Sequence, residues 1–567
     1  MVRRFGATAV LAATVGLCAG CGSTAPPSLD PAAAVPAAAP FYLEATIQPP
    51  PAERHAVSVV GSRLLGDGRP LARLQSLLRF GGRAPKGGQL SQLIGRKVGL
   101  YLAELPALEE RNGSPQRLLA QLRAAFGGSP FAKAGMPPGA VVFDAANAPA
   151  LRAYLRSAGG RQARSLGFLG ARLTALPNGE AGTVFRGYLV IGNLFGVERS
   201  VEALVDGRSL RGAAAFGRLR TTAPPALVDA YLLLPNPAPS APGGPRREPP
   251  GYLQRLIGPP GTAAYLALSV TTGQLRLEVD RYPLASDPPT AQETETAAAT
   301  AELLAGLPET AWLALALENL PDGIHKSELA APLISELLSL PKPPNPTLTG
   351  LLEAAGAAFG GVLSGLTNPL SQVVRALEGH GGALAAALQG WLGPAALYIA
   401  GSALTELNGG LVVAARSEGA AKKAVGRLGS ILSESGYNVR PDPQSPVSPA
   451  ISLPLNGLPG GLQVAAGDGR FVAGLGADPL QSTFSPQGTL GASATFRQAV
   501  AQLGEGFSPR AYLAFPQLTA VLGLLGANGN PATAGLLQRL YALSTLAIGV
   551  ARSGPVLRTA AAIALSP

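Results

Sequence analysis

The chain has 567 residues, 47% of them apolar, so it can bury a large core and wholesale disorder is excluded. Its formal charge of +11 comes from 45 basic and 34 acidic residues, and the arginines are scattered. That is not the concentrated basic stripe with interleaved aromatics of a nucleic-acid binder, so no nucleic-acid partner is expected. The two cysteines, Cys18 and Cys21, stand near the N-terminus, which excludes a disulfide, a cysteine metal site or a thiol redox site in the rest of the chain.

Arg3-Arg4 open a positive segment, and Phe5 to Leu17 is apolar but short for a membrane span. Leu17-Cys18-Ala19-Gly20-Cys21 follows and resembles a bacterial lipobox, with Cys18 where Leu is usual. Residues 1–20 are therefore read as a lipoprotein signal, with Cys21 as the acylated residue that anchors the chain to the outer face of the membrane. Residues 21–40 are rich in Ala and Pro with a single charge at Asp30, which predicts a disordered stalk.

Phe41 to Ile47 alternates in polarity and predicts a half-buried strand, with Phe41, Leu43, Ala45 and Ile47 on one face and Tyr42, Glu44 and Thr46 on the other. Helical spacing follows over Val57–Phe80 and Leu105–Phe126, with strands at Val98–Leu102 and Ala140–Phe143. Asn147 caps a helix that Gly159-Gly160 stop. Beyond a strand region at Leu166–Leu176 come a strand at Tyr188–Ile191, short helices at Val197–Leu204 and Leu210–Leu219, and a strand at Val228–Leu234. A hairpin turning at Gly273 pairs Ala263–Thr271 with Gln274–Tyr282.

The second half opens with a helix over Gln292–Leu304 and a strand at Ala311–Leu315. Helices are expected at Leu329–Leu340 and Leu348–Leu377, strands at Ala395–Ile399 and Leu411–Ala414, and a helix burying Ala421, Val425, Leu428 and Leu432. A last hairpin turns at Ser553-Gly554.

One block occurs twice. Gly187-Tyr188-Leu189-Val190-Ile191-Gly192, Ser209-Leu210 leading to Phe216, and Ala230-Tyr231-Leu232 are matched by Gly469-Arg470-Phe471-Val472-Ala473-Gly474, Thr489-Leu490 leading to Phe496, and Ala511-Tyr512-Leu513. This predicts an α+β fold of two related copies, residues 41–284 and 285–567, each a mostly antiparallel sheet packed with helices and paired about a pseudo-two-fold axis. The same block, with the opening Pro40-Phe41-Tyr42-Leu43-Glu44, resembles the domain of unknown function numbered 3352, found in exported proteins of actinobacteria. The resemblance implies an extracytoplasmic location and a shared fold, and carries no catalytic residues with it.

A search for chemistry returns little. His55, His325 and His380 lack zinc-site spacing, and no Gly-x-Ser-x-Gly elbow is present. Gly207 to Gly212 lacks the lysine of a phosphate loop; Ser209 and Thr489 are expected to cap helices. Glu278 and Asp280 share one strand face, but the second copy has Ala560–Ala562 in that region. Ala354–Val374 and Gly381–Thr405 carry no formal charge and suit buried core, a membrane span, or a surface that meets lipid. No catalytic, cofactor or metal residue is assigned. The expectation is a non-catalytic binding or scaffolding protein of the cell envelope, with a carrier of a hydrophobic ligand and an envelope hydrolase as alternatives; its partners are the membrane through the anchor and either a hydrophobic ligand or an envelope protein.

Overall fold

The computed structural model describes residues 29–65, 93–105, 138–159, 164–176, 179–234, 258–284, 291–318, 390–403, 405–455, 458–524 and 537–566. Cys21, His325, His380, the part of the helix expected at 57–80 beyond residue 65, residues 106–126, and the helices expected at 329–340 and 348–377 lie outside them. The fold is α+β, with helices on both faces of a large antiparallel sheet. In chain order the strands are β1 (Phe41–Thr46), β2 (Ile94–Leu102), β3 (Gly139–Ala145), β4 (Arg164–Phe168), β5 (Ala171–Ala175), β6 (Glu180–Phe185), β7 (Tyr188–Asn193), β8 (Val228–Leu234), β9 (Thr262–Thr271) and β10 (Gln274–Pro283). They continue as β11 (Ala311–Leu317), β12 (Leu392–Ala400), β13 (Asn408–Ala415), β14 (Arg440–Pro441), β15 (Ala450–Leu455), β16 (Leu458–Gly467), β17 (Arg470–Gly476), β18 (Ser508–Ala514), β19 (Leu543–Ser553) and β20 (Val556–Leu565).

Across the sheet the first ten strands run 4-5-6-7-3-2-1-8-9-10. The last ten run 20-19-18-11-12-13-17-16-15-14. The second series is the first in reverse, each number raised by ten. β10 and β20 pair antiparallel and join the two series into one sheet.

The side-chain alternation of each strand sets two cores. On one face Tyr101, Tyr42, Tyr231 and Tyr265 stand opposite one another on β2, β1, β8 and β9. Phe216, from the helix Ala214–Thr222, meets three of these rings edge-on, with centroids 5.4–6.0 Å apart. In the second half Phe496 meets Tyr512 in the same way at 5.2 Å. The other face buries Phe143, Leu151, Leu155, Leu189 and Ile191 beneath the helix Ala148–Gly159, and Val413, Val425, Val464 and Phe471 beneath the helix Glu418–Glu434.

The helix after β7, Leu194–Asp206, starts where the Asn193 carboxamide accepts from the Gly196 amide at 2.7 Å, and it ends at Gly207 in the left-handed region, φ 69°. The Tyr101 hydroxyl crosses from β2 to donate to the Gly196 carbonyl and lies 3.0 Å from Ser200 Oγ. Tyr398 on β12 does the same to the helix after β17, reaching the Pro479 carbonyl at 3.2 Å and Thr483 Oγ1 at 2.8 Å. Buried phenols need such partners, so these two bonds hold each helix to its sheet.

Several expectations need correction. The stalk expected over 21–40 does not reach its predicted end: Pro31–Ala34 form a 3-10 helix, and Ala32, Ala34, Val35 and Ala39 are buried. Small side chains here allow close approach rather than preventing a core. A Cβ on Gly99 would stand 2.9 Å from Pro31 Cβ, so glycine and proline are matched across that contact. Glu44 does not face solvent, because β1 lies inside the sheet and both its faces are covered. The helix expected at Leu210–Leu219 is a 3-10 turn, Leu210–Gly212, followed by a helix, Ala214–Thr222, and the side chains of Ser209 and Thr489 cap nothing. Each pairs instead as a bridge, with Pro36 and with Pro308. Within Gly381–Thr405, residues 392–400 form β12, an interior strand between β11 and β13. Among the described residues no helix is long and apolar enough to cross a membrane.

Candidate functional site

Three features of the sheet could carry function. The first is a cluster of charges at the join. Glu278 and Asp280 do share one face of β10, as their spacing requires, and both are completely buried. Arg276 and Arg558 are each the third residue of their strand, and Glu278 and Ala560 each the fifth. Glu278 sits directly opposite Ala560, so one carboxylate occupies the centre of the join with an arginine on either side. Glu278 accepts from Arg276 Nη2 at 2.6 Å and from Arg558 through Nε at 2.9 Å and Nη2. Phe507 lies against both guanidinium groups, 5.5 and 5.0 Å from its ring centre. Asp280 accepts from Thr222 at 3.0 Å, and its other oxygen is 3.6 Å from Arg558 Nε without a hydrogen bond. Burial first, and then the Glu278 charge, push the Asp280 carboxyl up to about 6. This geometry fastens two halves together. A substrate would have to unpack it to reach either carboxylate, so it does not form the open acid–base cleft that hydrolysis requires. The neighbouring hollow of about 520 Å³ is lined by Thr271, Gln274, Arg276, Gln498 and Gln502, not by these carboxylates.

The second feature is a cleft of about 460 Å³ at the ends of β1, β2 and β8. Glu44 and Asp229 stand directly opposite each other on β1 and β8. Glu44 is buried behind the cleft, bonded to Lys97 Nζ at 2.6 Å and to the Tyr42 hydroxyl at 2.6 Å, with Arg220 Nη2 at 3.6 Å. Arg220 also donates to Asp30 at 2.7 Å. Asp229, Lys97, Arg220 and Tyr265 reach the cleft wall, with Arg96 and Glu53 at its rim and Pro50, Pro224 and Pro225 as rigid sides. Burial, then the Glu44 charge, raise the Asp229 carboxyl to about 6 against the pull of Lys97 and the Tyr265 hydroxyl. Sequence reasoning did not find this cleft. Its one available signal was the polar run Tyr42, Glu44, Thr46 on alternate positions, which solvent exposure also explains.

The third feature is an apolar surface on the sheet face away from the tyrosines. One cross-strand row reads Val228, Leu268, Leu277, Ala561, Ile548, Ala511, Leu315, Leu397, Leu411, from β8 through the join to β13. The next row reads Val270, Leu275, Ile563, Leu546, Leu513, Leu313, Ile399. No side chain in either row is charged or polar, and none is fully buried; Val228 and Leu411 pack against the cores beneath the helices Ala148–Gly159 and Glu418–Glu434, and Leu513 and Leu546 against Phe515, Leu522, Leu537 and Leu540, so the middle of the first row is its open part. Leu315 and Leu397 face each other and are 37% and 39% exposed. With about 4.8 Å between strands, the first row spans on the order of 38 Å.

His55 is exposed near the start of the helix Pro51–Leu65. Among the described residues, no group of His, Cys, Asp and Glu side chains is arranged to hold a metal ion.

No family model matches the chain. No curated protein matches it either. Two solved structures, crystal forms III and I of TP0453, are similar to it over 48% and 46% of this chain and 87% and 82% of theirs. Each is 11% identical with a TM-score of 0.23, a likeness that carries no argument about function.

Proposed function

We propose that this protein is a non-catalytic binding module of the cell envelope, tethered outside the membrane by an acyl group on Cys21, and that it carries a lipid-like ligand on the apolar face of its sheet. The observation that carries the ligand reading is the unbroken row from Val228 to Leu411. A large partly exposed apolar surface marks an interaction site, and the length of this one suits acyl chains better than a compact solute. We further infer that residues 29–284 and 291–566 are two copies of one fold. The reversed strand order, the matched Tyr101 and Tyr398 contacts, and the matched bridges Pro36–Ser209 and Pro308–Thr489 support this. Duplication turns two half-width apolar faces into one wide surface without a second chain. An envelope hydrolase has less behind it, since Glu278 and Asp280 are committed to ion pairs inside the join.

Native mass spectrometry of the detergent-purified protein, with extraction and analysis of bound lipid, tests the ligand reading. Bound lipid is expected on the unaltered protein and lost from Leu315→Glu/Leu397→Glu, whose new charges occupy positions already exposed. Equal or absent lipid in both preparations refutes the reading. Membrane fractionation of Cys21→Ala tests the tether: the variant should leave the membrane fraction.

A further inference from the structure

We propose that the cleft between β1, β2 and β8 is a binding site for an oxyanion, a phosphate group or its chemical equivalent. The argument starts from which charges face the cavity and which stand behind it. Lys97 and Arg220 reach the cleft wall, while the carboxylate they share, Glu44, is buried beneath them. Asp30, the other partner of Arg220, is likewise absent from the cleft lining. An ammonium has three donors and a guanidinium five. Glu44 takes one of the Lys97 donors, and Asp30 one from Arg220. The ion pairs therefore hold both cations in place at the cleft floor while taking only part of their hydrogen-bonding capacity. Arg96 adds a third cation at the exposed rim. The walls are pre-set by Pro50, Pro224 and Pro225, whose fixed φ lowers the ordering cost of binding.

The cleft also carries an acid that decides when an anion can enter. Asp229 is surrounded by Glu44 on β1, Lys97 on β2, Tyr265 on β9, Arg220 on the helix Ala214–Thr222 and Glu53 on the helix Pro51–Leu65. When ionised it opposes a bound anion; when protonated it offers one more donor. Occupancy is therefore linked to protonation of Asp229, and affinity falls as the pH rises through about 6. This site stands apart from the apolar face, so either can fail without the other.

Isothermal titration of the full-length protein in detergent with sodium sulfate tests the proposal, because sulfate keeps one charge across the pH range used. Saturable binding is expected at pH 5.5, weakening by up to about 25-fold at pH 7.5 if only the protonated cleft accepts the anion. Asp229→Asn should remove most of that pH dependence. Arg96→Glu, which leaves the Lys97–Glu44 pair intact, should weaken binding at least tenfold while leaving the thermal melt unchanged. Displacement of sulfate by soluble glycerol phosphate assigns the site to free phosphorylated solutes, and displacement only by phosphatidylglycerol vesicles assigns it to lipid headgroups. No saturable binding at pH 5.5, or binding unaffected by Arg96→Glu, overturns the proposal.

Discussion

Replacing Glu278 by Ala tests whether charge holds the two series of strands together. The substitution removes the carboxylate that Arg276 and Arg558 share and leaves two guanidinium groups, each 19% exposed, facing one another across the join. Breaking a buried pair by removing one partner costs about 3–5 kcal/mol, since the surviving charge stays desolvated. Two features offset part of this here. Asp280, 3.6 Å from Arg558 Nε, can take over one cation, and Phe507 continues to lie against both. A loss of about 2–4 kcal/mol is expected, measured from urea unfolding followed by circular dichroism. A second signature separates lost charge from lost packing. In the unaltered protein the raised Asp280 pKa favours the protonated form, so its stabilising effect is full below the unfolded value of 3.8 and is lost as pH rises through about 6. Without Glu278 the Asp280 carboxyl should drop, and that decline in stability between pH 4 and 6 should shrink. A variant within about 0.5 kcal/mol of the parent, with an unchanged pH profile, would refute the reasoning, because exposed ion pairs behave that way.

Asp229→Asn should stabilise the protein at pH 7.5 and make no difference below pH 4, because the raised Asp229 pKa stabilises only below its unfolded value and that contribution disappears through about pH 6. A shift of about two units corresponds to about 3 kcal/mol, reduced to about 1–2 by solvent at the cleft; paired thermal melts at the two pH values check it. Tyr398→Phe should cost about 1–3 kcal/mol, since it strips the hydroxyl from between the Pro479 carbonyl and Thr483, and Tyr101→Phe should cost the same on the matching helix. Gly196→Ala should destabilise by at least about 1–3 kcal/mol, as its methyl group would collide with the Gly139 backbone, which has no side-chain freedom to yield; chemical denaturation measures it.

Much of the local structure was legible in the chain. Alternation located β1, because a strand's period of two is a property of neighbouring residues, and the turns at Gly273 and Ser553-Gly554 located the hairpins β9–β10 and β19–β20. The repeated block anticipated that Phe216 and Phe496 play matching parts. The candidate sites were not legible, for a different reason. Asp30 looked like the lone charge in a loose Ala/Pro tail, yet it caps a buried turn and anchors Arg220, which lies far along the chain.

Periodicity tells which side chains share a face, and this chain settled that unaided for Glu44, Glu278 and Asp280. Whether the face is wet, covered or joined to another half depends on strands and helices brought in from distant segments, and only the assembled sheet decided it. Glu44 is buried because β2 and β8 flank β1 and the helix Ala214–Thr222 brings Arg220 to it; Glu278 is buried because β20 arrives opposite it. Burial is a property of the neighbours a residue acquires, and those neighbours are encoded elsewhere in the chain.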